Sequence, residues 1–144
     1  MTCAVTVSSP PSNRSMPLEP RDIGRLKDMV VYARDAIHLL AGRSLEHMTE
    51  DLATRLALIR CVEVIGEAGH QVSSNVQAAL PTIPWHAMWG MRNRLVHDYG
   101  STNYRILHGV VSANLPGLAT TIEAFLAAQA PAPDSSANGP GALP

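Results

Sequence analysis

Two long stretches in the first half of the chain place apolar side chains three or four residues apart, the spacing of one face of an α-helix. The first runs over 21–41 and ends at Gly42. After a polar link at 43–48, the second runs from a predicted N-cap at Thr49 to about Val72. Their predicted core positions are Ile23, Leu26, Val30, Ala33, Ile37 and Leu40 in the first helix, and Leu52, Leu56, Ile59, Val62 or Glu63, Ile65 and Val72 in the second.

The second half of the chain repeats this pattern twice. A third helix is predicted from Pro84, which suits a first helical position, to a stop at Gly100. A fourth is capped by Ser101 or Thr102 and is expected to kink at Pro116, because proline removes a backbone hydrogen bond. The apolar positions are Trp85, Met88, Trp89, Leu95 and Val96 in the third helix, and Ile106, Leu107, Val110, Val111, Leu115, Leu118, Ile122 and Leu126 in the fourth.

Four such helices in one chain predict an all-α fold, an up-and-down four-helix bundle with a short extra helix at 73–80. Gly66 and Gly69 interrupt the second helix, where each costs about 1 kcal/mol of helix propensity relative to alanine. A residue without a side chain in mid-helix permits close approach by a neighbour. We therefore predict tight packing against the third helix at these glycines.

The composition of the chain predicts where its folded domain begins and ends. Residues 1–20 and 129–144 are rich in Pro, Ser and Ala and are predicted to be disordered, which leaves one bundle domain at 21–128. Cys3 and Cys61 imply no disulfide framework. We find no apolar run of about 18 residues and no signal peptide, so a soluble, cytoplasmic protein is expected.

The net charge of the chain does not identify a class of binding partner. The formal net charge is -1, without the basic excess typical of nucleic-acid binders. Ten of the eleven basic residues are arginine, a bias that genome composition explains as readily as phosphate recognition.

The segment 92–99 concentrates the usable chemistry. Arg92 offers a planar fork for two phosphate oxygens, and His97 can exchange a proton near neutral pH. Asn93 lies four residues before His97, where its amide can orient the imidazole. Tyr99 shares a helix face with Arg92. This set suits phosphodiester chemistry.

Helix geometry separates two of these groups. At 100° per residue, Arg92 and His97 lie about 140° apart around a straight helix. Either the long Arg92 side chain wraps toward His97, or two copies of the helix meet across a two-fold axis and form the site together. We favour the second arrangement, which predicts a symmetric homodimer.

At these residues the chain resembles a known family. The pattern Arg-x4-His-x-Tyr, formed by Arg92, His97 and Tyr99, is the signature of HepT-like toxins of the HEPN superfamily. The segment 59–68, which contains Ile-Gly-Glu-Ala, resembles the second helix of that family. Residues 80–85 resemble its approach to the catalytic helix, and Asn-Leu-Pro at 114–116 its last helix. The resemblance covers roughly residues 20–128.

The resemblance implies a metal-independent endoribonuclease that needs no cofactor and leaves a cyclic phosphate through attack by the 2′-hydroxyl of RNA. His97 would carry the proton, Arg92 would stabilise charge and Asn93 would orient the imidazole. Arg94 and Glu67 are candidate substrate contacts. The remaining histidines have no convincing metal-ligand spacing.

The resemblance also implies a partner, a minimal nucleotidyltransferase antitoxin of the MntA type in a type VII toxin–antitoxin system. Such a partner uses ATP to attach AMP to the motif tyrosine, here Tyr99, with Tyr104 as a less favoured acceptor. A bulky anionic nucleotide beside Arg92 would fill the phosphate site and reverse its local charge.

Two other classes of function fit the same residues. The bundle would be a non-catalytic dimeric module that binds RNA, nucleotide or a nucleotidyltransferase without cutting RNA. Alternatively, it would be a structural dimer in which Arg92 and His97 satisfy a buried polar network. Loss of turnover in His97→Ala with an intact fold separates the enzyme from both alternatives.

Overall fold

A computed structural model describes residues 17–97 and 102–130 as an assembly of helices, and these residues contain no strand. Four long helices form the bundle, and a short helix follows the second of them, so the predicted all-α architecture is confirmed. The elements are α1 (Pro20–Leu40), α2 (Leu45–Glu50), α3 (Leu52–Gln71), α4 (Ser74–Ala79), α5 (Trp85–His97), α6 (Tyr104–Gly109), a π-helical turn (Val110–Asn114) and α7 (Leu115–Gln129).

The core lies around α1, which packs against α3 on one side and α7 on the other. α5 packs mainly on α3, and none of its residues is fully buried. The core is aliphatic, as the low aromatic content requires, and its fully buried large side chains are Leu26, Met29, Met48, Leu58, Leu107, Val111 and Ile122. The described residues therefore leave much of α5 partly exposed.

The start of α3 differs from the prediction. Thr49 is not an N-cap; it lies inside α2 and donates its hydroxyl hydrogen to the carbonyl of Leu45. Asp51 caps α3 instead, because its carboxylate accepts from both the backbone N–H and the hydroxyl of Thr54. The supposed polar link is itself helical, with Ser44 as the N-cap of α2.

The predicted core of the second helix is partly wrong. Leu52 and Leu56 are 58% and 57% exposed, whereas Leu58, which was not among the predicted positions, is fully buried. In the fourth helix Ile106 is 45% exposed, although the other predicted positions are buried or pack against the core. In α1 the fully buried side chains include Met29 and Ala36, again outside the predicted set. These errors arise because burial depends on which face of each helix its neighbours cover. The helical period of the apolar residues does not specify that face.

A buried carboxylate joins the start of α1 to the beginning of α4. Asp22, only 4% exposed, accepts hydrogen bonds from the backbone N–H of Ser73 at 2.9 Å and from its hydroxyl at 2.7 Å. Ser73 is the N-cap residue of α4, but its side chain accepts no hydrogen bond from the first turn of that helix. Asp22 therefore performs the capping from another helix.

The third helix begins one residue later than predicted. Pro84 precedes the first helical residue, Trp85, and its carbonyl accepts the first helical hydrogen bond from Met88. The predicted stop at Gly100 lies outside the described residues.

The last helix is continuous from Tyr104 to Gln129 but not regular. Its N-cap is Asn103 rather than Thr102, because the Asn103 side chain accepts from two backbone N–H groups of the first turn. The predicted alternative cap, Ser101, lies outside the described residues. The disturbance expected at Pro116 appears one turn earlier, as the π-helical turn, and Pro116 occupies the first turn of α7.

By length and composition the helix Tyr104–Gln129 could cross a membrane, with a mean hydropathy of 1.3 over an 18-residue window. This corrects the expectation that no such stretch exists. The same helix contributes buried side chains, among them Leu107, Val111 and Ile122, to the core around α1. Part of the apolar surface of this helix is therefore buried within the bundle.

Candidate active site

α3 and α5 approach each other most closely at Gly66. A Cβ atom on Gly66 would lie 2.6 Å from Cβ of Arg92, which is too short for real atoms, and 3.1 Å from the carbonyl oxygen of Met88, which is unusually tight. One turn later, a Cβ on Gly69 would lie 3.4 Å from the Met88 methyl group. The predicted close packing at these glycines is confirmed. It brings Arg92 directly against α3.

Arg92 is restrained by polar groups from both helices. Its Nη2 lies 3.1 Å from Oε2 of Glu67 on α3, and its Nη1 donates a hydrogen bond of 3.2 Å to the side-chain oxygen of Asn93. The contact with Glu67 is an ion pair rather than a well-aligned hydrogen bond, because Oε2 has no hydrogen-bond partner among the described residues. Oε1 of Glu67 accepts from Gln71 at 2.8 Å, which fixes the carboxylate. The Arg92 side chain stays 25% exposed, so a phosphate can reach it.

An aromatic pair lies beside this ion pair. The rings of His70 on α3 and Trp89 on α5 are parallel to within 9°, with centroids 3.7 Å apart. The guanidinium carbon of Arg92 lies 5.0 Å from the centre of the Trp89 ring, within reach of a cation–π contact. The cluster therefore combines a cation, a carboxylate and two stacked rings.

His97 has no contact with the Arg92 cluster in the described part of the chain. His97 is exposed at the end of α5, and no hydrogen bond joins it to Asn93 within the described part of the chain. The orienting role of Asn93 stays a prediction, as do the substrate contacts of Arg94 and Glu67. Arg94 is exposed and lines a small cavity between α5 and the start of α6. Tyr99 lies outside the described residues.

An apolar groove adjoins the cluster. It has a volume of about 450 Å³ and lies between α3, α5 and the helix that contains the π-helical turn. Gly66, Met88 and Met91 line one side, and Leu115 and Leu118 line the other. The groove marks a face of the bundle that the described chain leaves uncovered.

His70 is the residue of this cluster that the sequence did not indicate. Glu67 and His70 are three apart on α3, and Trp89 and Arg92 are three apart on α5, so each pair shares a face of its helix. Because the helices run antiparallel, Glu67 meets Arg92 and His70 meets Trp89. Only the relative position of the two helices shows that these pairs coincide.

Across residues 17–97 and 102–130, no three His, Cys, Asp or Glu side chains lie close enough to hold a metal ion.

Comparison with known proteins identifies the family of the chain. The family described as Ribonuclease HepT-like matches residues 23–125. A Methanocaldococcus jannaschii protein named as a candidate RNase is 30% identical over 98 residues, which are 68% of this chain and 90% of that protein. A Thermococcus cleftensis protein named as a candidate ribonuclease HepT is 33% identical over 96 residues, 64% of this chain and 87% of that protein.

A Caldanaerobacter subterraneus protein, also named as a candidate RNase, is 30% identical over 90 residues, 62% of this chain and 80% of that protein. No solved structure matches the chain. The family match spans α1 to α7 and includes Arg92, Asn93 and His97. The chain belongs to the HepT-like ribonuclease family.

Proposed function

We propose that the protein is a metal-independent endoribonuclease whose active site uses Arg92 and His97. The main support is the position of Arg92, which is restrained by Glu67 and Asn93 yet remains partly exposed on a helix that also carries His97. A restrained guanidinium stabilises developing phosphate charge without having to reorganise. Membership of a ribonuclease family makes RNA the expected substrate.

The proposed reaction is an internal transfer within the RNA backbone. The 2′-oxygen forms a bond to phosphorus while the bond from phosphorus to the 5′-oxygen breaks, which yields a 2′,3′-cyclic phosphate and a free 5′-hydroxyl. An imidazole takes the proton of the 2′-hydroxyl, and an acid supplies the proton that the leaving oxygen needs. Arg92 holds the two non-bridging oxygens through its planar fork.

The site is proposed to be completed across a two-fold axis. His97 and Arg92 point about 140° apart around α5, and Arg92 is already held against α3 of its own chain. None of the residues of α5 is fully buried, and an apolar groove runs along it. A second copy covering this face would place its His97 near the first copy's Arg92, so that each of two equivalent sites takes Arg92 from one copy and His97 from the other.

Cleavage is tested by incubating the intact protein with RNA in EDTA. We expect cleavage that leaves a cyclic phosphate, and loss of at least about a hundredfold in rate for Arg92→Ala and for His97→Ala. His38→Ala and Arg21→Ala, which change exposed residues of α1, serve as matched controls and should cleave normally. A folded dimer, free of AMP by mass, that cleaves no class of RNA would instead support a non-catalytic binding module.

Subunit mixing tests the composite site. A heterodimer of Arg92→Ala and His97→Ala has one site with both residues intact if each site draws them from different copies. Random co-assembly of the two inactive variants should then restore about a quarter of the wild-type rate. No recovery from a verified heterodimer would place Arg92 and His97 of one chain in the same site.

We also propose that a minimal nucleotidyltransferase neutralises the protein by transferring AMP from ATP to Tyr99. The Tyr99 oxygen attacks the α-phosphorus of ATP, and pyrophosphate leaves. Mass analysis after incubation with the cognate enzyme and ATP should show an AMP adduct that Tyr99→Phe lacks. An adduct that persists in Tyr99→Phe and disappears in Tyr104→Phe would move the acceptor to Tyr104.

A further inference from the structure

The stacked pair of His70 and Trp89 is not used by the proposed cleavage chemistry. Trp89 differs from the other tryptophan, Trp85, whose indole N–H donates to the carbonyls of Gln77 and Leu80 and whose ring packs against the core. Trp89 is half-buried, stacks on the exposed His70 and does not pack against the buried core. A large ring pair in this position has surface available for a ligand.

We propose that His70 and Trp89 form a stacking site for an unpaired nucleobase of the RNA strand whose phosphate is held by Arg92. This inference rests on the proposed function and specifies its substrate as single-stranded RNA. Proteins bind unpaired bases by stacking them on aromatic rings, and imidazole and indole both serve. The exposed ring of His70 extends the stack that Trp89 begins.

The position relative to Arg92 supports this assignment. Trp89 and Arg92 lie on one face of α5, three residues apart, and so about 4.5 Å apart along the helix axis. The guanidinium also lies 5.0 Å from the Trp89 ring centre. Because His70 covers one face of Trp89, a base stacks on the outer face of His70, further from the guanidinium than Trp89 is, at a separation that neighbouring nucleotides of one strand can span. One strand can therefore engage the ring pair and the cation together.

The site excludes a continuous duplex. Bases inside an A-form helix are already stacked on their neighbours, and their faces are not available to a protein ring. Purines present a larger π-surface than pyrimidines, so a purine should bind more tightly at this position. The predicted specificity is for an unpaired purine next to the bound phosphate.

Tryptophan fluorescence provides a direct test in the intact chain. Trp85→Phe leaves Trp89 as the only tryptophan, because the sequence contains two. The probes are three oligonucleotides of equal length: 2′-O-methyl oligoadenylate, an abasic strand, and a 2′-O-methyl duplex. None has the free 2′-hydroxyl that the proposed cleavage requires. We expect oligoadenylate to quench Trp89 emission, and the abasic strand and the duplex to leave it nearly unchanged.

Variants of His70 separate stacking from folding. His70 is exposed, so His70→Ala should retain its helicity. We expect it to weaken oligoadenylate binding about 5- to 30-fold and to leave abasic binding unchanged. His70→Phe preserves a stacking ring and should bind oligoadenylate with near wild-type affinity. In the cleavage assay, His70→Ala should raise KM for single-stranded RNA while kcat stays constant.

The outcomes distinguish this inference from the proposed function. If RNA is cleaved but His70→Ala binds oligoadenylate as tightly as the wild type, the stacking site is wrong and the ribonuclease stands. If base-dependent quenching occurs but no RNA is cleaved, the stacking site stands and the ribonuclease is wrong. Equal affinity for the abasic strand and oligoadenylate would also overturn the stacking site.

Discussion

The guanidinium of Arg92 is contacted from three directions by side chains of two helices. Glu67 provides an ion pair, Asn93 accepts a hydrogen bond, and the ring of Trp89 lies within cation–π distance. Each contact restricts the rotation of a side chain that would otherwise be highly flexible. The geometry that the proposed phosphate binding requires is therefore largely set in the free protein, which favours the proposed catalysis by positioning.

Glu67 provides a prediction at this scale. The negative charge of Glu67 lies next to the proposed phosphate position, so Glu67→Gln should lower KM for RNA about two- to tenfold. Glutamine keeps a polar side chain of the same size beside the guanidinium, and we expect kcat to stay within about threefold of wild type. Glu67→Ala removes that contact as well and should lower kcat about tenfold. Steady-state cleavage kinetics at constant ionic strength measure both effects.

The same experiment decides between two roles of Glu67. A raised KM in Glu67→Gln, with normal helicity, would indicate that its carboxylate contacts the substrate directly. A lowered KM would indicate that Glu67 acts through Arg92. Glu50→Gln, which removes an exposed carboxylate of α2, controls for the loss of one negative charge.

At the scale of elements, the main feature is the contact of α3 with α5. α5 packs mainly on α3, and the two helices approach closely because Gly66 lacks a side chain. The same approach places Glu67 beside Arg92 and His70 against Trp89. The candidate site therefore depends on one helix–helix distance.

Gly66→Ala tests this dependence. The added methyl group would lie 2.6 Å from Cβ of Arg92 and 3.1 Å from a backbone oxygen, and neither can move without displacing α5. Overpacking of this kind costs about 1–3 kcal/mol, partly offset by a gain of up to about 1 kcal/mol in helix propensity. We expect a net loss of about 1–2 kcal/mol in the free energy of unfolding, measured by urea denaturation. RNA cleavage should fall more than stability alone explains.

Gly24→Ala is the matched control, since it also replaces a glycine within a helix but meets no atom within 4 Å. It should raise the free energy of unfolding by about 0.5–1 kcal/mol and leave cleavage unchanged. If Gly66→Ala stabilised the protein to the same extent, the close approach of α3 and α5 would be refuted.

For the whole molecule, the pH dependence of stability involves two exposed carboxylates, Glu123 and Asp51, and the ion pair of Glu123 joins α7 to α1. Arg34 on α1 makes a two-point contact with Glu123 on α7, both bonds 3.0 Å long, and this lowers the pKa of Glu123 below its usual value. Hydrogen bonds from Thr54, with a smaller contribution from Arg43, lower the pKa of Asp51. Both carboxylates are more acidic in the folded protein than in the unfolded chain.

The pH dependence follows from the sign of these shifts. A carboxylate with a lowered pKa in the folded state stabilises the fold above its unfolded pKa, about 4.3 for Glu and 3.9 for Asp. That stabilisation is lost as the pH falls through the lowered folded value. Glu123→Gln should therefore reduce the urea midpoint slightly at pH 7, and the difference from wild type should shrink below about pH 4. A difference that grows with acidity would contradict the assigned direction.

The sequence by itself determined the four long helices, the close approach at Gly66 and Gly69, and the family motif formed by Arg92, His97 and Tyr99. These features depend on local spacing: a helical period, a missing side chain, and fixed intervals between chemical groups. These intervals are properties of the sequence and do not depend on how the helices pack. Arg92 and Asn93 could be singled out for the same reason.

Only the tertiary structure decided which apolar side chains are covered and which polar groups meet. Leu52 and Leu56 satisfy a helical period yet remain exposed, because none of the described helices covers their face of α3. Thr49 and Asp51 are both residue types that favour an N-cap. Asp51 is the N-cap of α3 because its carboxylate accepts hydrogen bonds from Thr54. His70 stacks on Trp89 across 19 residues of sequence, a pairing set by the antiparallel register of two helices. Contacts between elements depend on their relative placement, and that placement comes from burial of the core as a whole.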